Sequence, residues 1–97
     1  MKTIEEATGL IPETIADNIT SEARTFANVP DNATDWLCQR ARHQWEQQSV
    51  FARHMLKSDG RDTLYSFMRH WLAAYLLGTG TPRRDIPAAW SNGNPLP

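Results

Sequence analysis

Three histidines and one cysteine are the residues whose chemistry invites a metal or nucleophilic site. His43 and His54 lie eleven positions apart, almost three whole helical turns, so on one helix they would share a face. At 1.5 Å of rise per residue they would stand roughly 16 Å apart, whereas the ligands of a single zinc converge within about 2.1 Å of it. Cys38 precedes His43 by five residues and would face about 140° away from it. His70 has no Cys or His at i+3 or i+4. Neither a metal nor a cofactor is expected, and the histidines read as solvent-facing or interface groups.

Nucleophilic catalysis fares no better, because it needs a Ser or Cys held by a base. Cys38 falls on an apolar stripe, and Ser49, Ser58 and Ser66 have no supporting pattern. Gly78 and Gly80 follow an apolar helix and lead into Pro82, not into the helix N-terminus that a phosphate loop requires. Paired carboxylates remain open, but the acids cluster in short front segments where solvation explains them. The expectation is a protein that is not an enzyme.

Charge gives a second set of candidates. Ten Lys and Arg stand against eleven Asp and Glu, a formal net charge of −1, so nothing global recommends nucleic acid. The balance is uneven, however: residues 1–35 hold seven acids and two bases, and residues 36–97 four acids and eight bases. Either the acidic front packs on the basic remainder and neutralises it, or one half recruits a charged partner. The candidate phosphate contacts are Arg42, Arg53, Lys57, Arg61, Arg69, Arg83 and Arg84. Arg40 and Arg42 diverge by about 200° on a helix, so these bases do not share one face. The run Gly9-Leu10-Ile11-Pro12-Glu13-Thr14-Ile15 resembles the turn and early second helix of some helix-turn-helix regulators. That resemblance implies a recognition helix, yet the helix would carry Glu13, Asp17 and Glu22 with Arg24 as its sole base, the wrong sign for phosphates.

The elements that must position these groups are helical. The 97 residues suit a single helical domain: short acidic helices over 1–30, a helical hairpin over 31–78 and an extended Pro-rich tail over 79–97. Thr3-Ile4-Glu5-Glu6 is a capping box, Pro12 suits a first turn, and Thr20 or Ser21 would cap a third short piece. Asp31 or Asn32 would cap a helix over 33–58, which meets no Gly or Pro before Gly60. On it Ala33, Leu37, Cys38, Ala41, Trp45, Phe51, Ala52, Met55 and Leu56 fall within about 140° of arc, a core-facing stripe, with Gln44 and Gln48 at its wet margin. Gly60 suits the left-handed position past a C-terminus and Asp62 a cap for the next helix, over 62–77. That helix presents Leu64, Tyr65, Phe67, Met68, Trp71, Leu72, Ala74, Tyr75 and Leu76 over about 200°, so the first long helix, the front, the tail or a second subunit must cover it from several sides.

A further apolar line completes the picture. Trp36, His43, Val50 and His54 fall within about 40° of each other on the side opposite the core stripe. Either the front helices pack there or it is an interface rimmed by Arg40 and Gln47, since Trp and Arg dominate binding hot spots. Trp45 and Trp71 suit the interior, whereas Trp36 and Trp90 are free to serve elsewhere, although the run Ile86-Pro87-Ala88-Ala89-Trp90 is also apolar enough to lie along the hairpin with Trp90 as its anchor. The sequence therefore points to a small regulator or inhibitor that binds another protein, either alone or after forming a homodimer, with a nucleic-acid-binding accessory protein as the alternative. The lone cysteine favours a reducing compartment. The acidic N-terminus lacks a signal core, and the longest apolar run, 71–78, falls well short of the roughly 20 residues of a membrane span. A cytoplasmic protein without membrane association is expected.

Overall fold

In the computed structural model, residues 2–91 are described, and all their regular elements are helical. Five α-helices follow in order: α1 Ile4–Thr8, α2 Pro12–Ala23, α3 Ala33–Glu46, α4 Val50–Met55 and α5 Gly60–Gly78. Two 3-10 turns, Arg83–Asp85 and Ala88–Ser91, come after them. None of the described helices is long and apolar enough to cross a membrane.

α1 begins where its capping box places it. The Glu6 N–H donates to Thr3 Oγ1 at 3.1 Å and the Thr3 N–H donates to Glu6 Oε1 at 3.2 Å, satisfying two backbone donors that a helix start leaves unpaired. Gly9, at φ 73°, ends the helix in the left-handed conformation that glycine adopts without strain. Pro12 occupies the first turn of α2. No third front helix starts at Thr20 or Ser21. Thr20 is buried inside α2, where its hydroxyl donates to the Asp17 carbonyl at 3.1 Å and meets the Thr34 hydroxyl of α3 at 3.2 Å. Ala16 and Ala23 on α2 and Ala33 and Ala41 on α3 are fully buried, and such small residues let helices approach closely.

The expected long helix over 33–58 is broken. α3 stops at Glu46, Gln48 takes φ 50°, and Ser49 is extended before α4 begins. A non-glycine residue in the left-handed region costs about 1–2 kcal/mol. Offsetting this, α4 directs the buried Phe51 ring edge-on to both Phe67, at 5.1 Å, and Trp71, at 5.0 Å. Each aromatic pair contributes roughly 0.5–1.5 kcal/mol beyond its buried area, enough to balance the strained residue. Phe51, Ala52 and Met55 remain core residues, but Leu56, just past the end of α4, is 67% exposed. Gln44 is half-buried and Gln48 exposed.

α5 starts two residues earlier than the sequence suggests. Asp59 occupies the N-cap position without a side-chain cap bond, so Asp62 is not the cap, and Asn32 likewise caps α3 by position alone. Gly60 is the first residue of α5 and has no positive φ. It is needed for a different reason: a Cβ there would lie 2.7 Å from the Met55 carbonyl oxygen. The wide apolar arc of α5 is covered by α2, α3, α4 and the last 3-10 turn.

The beginning of the tail is not extended. Ile86, just after the first 3-10 turn, and Trp90, in the second, are buried, and the Trp90 ring meets Phe26 edge-on at 5.1 Å. The expected course of the tail through Gly93, Pro95 and Pro97 lies outside the described residues. One cluster of buried side chains runs from Ile4 through α2–α5 to Trp90.

Candidate binding site

Two turns of α3 and α5 form a small aromatic cleft of about 290 Å³ lined by Trp36, Arg40, His70, Trp71, Ala74 and Tyr75. Trp36 and Arg40 are four residues apart on α3, and Trp71 and Tyr75 four apart on α5, spacings that align side chains on one helix face. The Trp36 ring lies 4.7 Å from that of Tyr75, tilted by 43°. The Arg40 guanidinium carbon sits 5.7 Å from the Trp36 ring centre and 5.3 Å from that of Trp71, so the cation spans two indoles. Each such contact is worth about 0.5–2 kcal/mol, more when water is excluded. Trp71 is buried, Trp36 and Tyr75 are half-buried, and Arg40 is exposed. His70 Nδ1 is shielded from solvent and has no hydrogen-bond partner, an arrangement costing about 1–3 kcal/mol.

The line expected along the first long helix is only partly kept. Trp36 does not face away from the protein: its ring contact comes from α5, whereas the front meets α3 at Thr34, Arg42 and Trp45. His43 and Gln47 are exposed on α3. The break at 47–49 moves Val50 and His54 onto α4, where Val50 is 61% exposed and the exposed His54 has its ring 6.3 Å from Phe67. Trp90 is no surface group at all; only 2% exposed, it is a core anchor against Phe26. His70, Trp71, Ala74 and Tyr75 enter the candidate site in its place. The 200° apolar arc of α5 was the signal for Trp71, Ala74 and Tyr75, being wider than one covering helix can hide, and nothing in the sequence marked His70.

Among the candidate phosphate contacts, Arg42 donates to Glu5 at 3.3 Å and to Glu13 at 2.6 Å, and Arg69 donates to Glu22 at 3.2 Å. All three pairs join the acidic front to the basic remainder, so the two halves neutralise each other within the chain at these points. Arg69 also lies over Tyr65, at 5.3 Å, as does Arg61, at 5.6 Å. Arg53, Lys57, Arg83 and Arg84 are exposed and make no ion pair among the described residues. They are divided between α4, the residue pair following it and the first 3-10 turn.

The reactive groups are quiet. Burial pushes the Cys38 thiol up to about 11, with the negative charge of Glu13 adding to the effect, so the nucleophilic thiolate is scarce near neutrality. The hydrogen bond from Arg42 holds the Glu13 carboxyl below the usual carboxylate range. Among the described residues, no group of three or more His, Cys, Asp and Glu is placed to hold a metal ion. Comparison of the chain with models of known families, with curated proteins and with solved structures returns no match. The geometry of the cleft therefore carries the functional reading.

Proposed function

We propose that the chain is a small binding protein that regulates or inhibits another protein by docking it at the α3–α5 cleft, without catalysing a reaction. One observation carries this reading: the Arg40 guanidinium is laid over the indoles of Trp36 and Trp71 beside a cleft. Trp and Arg are the residue types that most often dominate binding energy, and two already ordered side chains lose little freedom when a partner arrives.

A second reading, nucleic-acid binding, is favoured by the four exposed cations Arg53, Lys57, Arg83 and Arg84, which lack intrachain ion partners among the described residues. Salt separates the two readings. Contacts from four cations to phosphates weaken by about two orders of magnitude between 50 and 200 mM salt, and a Trp-centred contact does not. The test is capture of partner from lysate of the source cell, with and without nuclease, at both salt concentrations. Docking at the cleft predicts that Trp36→Ala loses the partner and that Arg53→Gln with Lys57→Gln retains it at both. The opposite pattern favours nucleic acid. Light scattering on the isolated chain separates a second copy from a foreign partner.

A further inference from the structure

We propose that the α3–α5 cleft receives the carboxylate of an acidic side chain from a protein partner, with Arg40 as its counter-charge; this rests on the docking reading above and specifies its chemistry. The six lining residues include one full cation and no acid. Arg40 differs from its neighbours on the chain in being held without being neutralised. Arg42 has two carboxylate partners and Arg69 has one, whereas Arg40 has none among the described residues.

The way Arg40 is held leaves its hydrogen-bonding capacity free. Its contacts are with the two indole rings, and no ion pair engages its five N–H donors among the described residues. A guanidinium held in this way suits a carboxylate, which takes two parallel N–H bonds from one arginine. The other lining residues, the two indoles, Ala74 and the Tyr75 ring among them, offer apolar and aromatic surface to the stem of the incoming side chain.

Size restricts the occupant. A cleft of about 290 Å³ lies at the bottom of the roughly 300–1,000 Å³ range of small-molecule sites. It accommodates one or two side chains from a partner surface, such as a glutamate beside a leucine, and excludes a large cofactor.

The test uses two blocked dipeptides, acetyl-Leu-Glu-amide and its isosteric Gln counterpart, titrated into the full chain and followed by backbone and indole NMR shifts. The expected result is perturbation at Trp36, Arg40, His70 and Ala74, with the Glu peptide bound about tenfold more tightly than the Gln peptide, as a charge-assisted pair implies. Arg40→Gln abolishes that preference while the spectrum stays dispersed, and Arg40→Lys, which keeps the charge but loses the fork, restores only part of it. Equal binding of the two peptides, perturbation elsewhere on the surface or no perturbation overturns the carboxylate site. If partner capture still depends on Trp36 in that event, the docking reading stands and only its acidic chemistry falls.

Discussion

Arg42 donates to Glu13 Oε1 at 2.6 Å, joining α3 to α2 across 29 positions of chain. The same guanidinium reaches Glu5 of α1, so one side chain ties both front helices to the rest of the protein. The pairs are partly exposed, and each contributes about 0.2–1 kcal/mol. Arg42→Gln is therefore expected to lower stability by about 0.5–1.5 kcal/mol near neutral pH, read from urea midpoints. Glu13 titrates below its ordinary range when folded, so the pair stabilises fully above the unfolded-state pKa and is lost as pH falls through the folded one. The gap between wild type and variant should thus shrink as the pH falls to about 3. A gap that stays constant would contradict this role.

Gln48 occupies the left-handed region at φ 50° and is exposed. Gln48→Gly relieves that strain and should stabilise the chain by about 0.5–1 kcal/mol, although glycine also loosens the unfolded state. Gln48→Val should cost about 1 kcal/mol or more, because branched side chains tolerate this region poorly. Thermal unfolding of the two variants measures both.

Gly60 is irreplaceable for a steric reason. The atom that an added Cβ would strike is the backbone carbonyl oxygen of Met55, at 2.7 Å, which cannot swing aside as a side-chain tip would. Gly60→Ala should destabilise by about 1–3 kcal/mol. The helix-propensity gain from alanine, at most about 1 kcal/mol and smaller at a helix end, does not compensate. An alanine variant as stable as wild type in denaturant titration would contradict the close approach.

Cys38 is buried and its thiol is pushed up to about 11. In the folded chain it should react with an aromatic disulfide reagent at about pH 8 at least two orders of magnitude more slowly than a free thiol, and at the free rate once denatured. Fast labelling of the native chain would show that α3 opens readily.

Local signals in the sequence carried the first two helix starts and the core stripe of α3. Thr3 and Glu6 cap α1, Pro12 opens α2, and the core stripe through Ala33, Leu37, Cys38, Ala41 and Trp45 is buried as its spacing implies. The break at 47–49 was hidden because Gln47 and Gln48 are good helix formers. It arises from a long-range demand, the seating of Phe51 on Phe67 and Trp71, that no local pattern records. The site shows the same division. Trp36 and Arg40 were legible as a pair on one helix face, but a helical wheel does not name the neighbour, so Trp71, Ala74 and Tyr75 read only as core. Trp90 was legible as the anchor of an apolar run from Ile86, but its place among the partner-binding residues does not hold, because the ring is buried against Phe26, 64 positions earlier in the chain.

The most direct test of docking at the cleft is hydrogen–deuterium exchange on the chain alone and in complex with its captured partner. Protection centred on 36–40 of α3 and 70–75 of α5, with 53–57 and 83–84 unchanged, is the result expected. Protection of the basic segments with the cleft exchanging as in the free chain would contradict it.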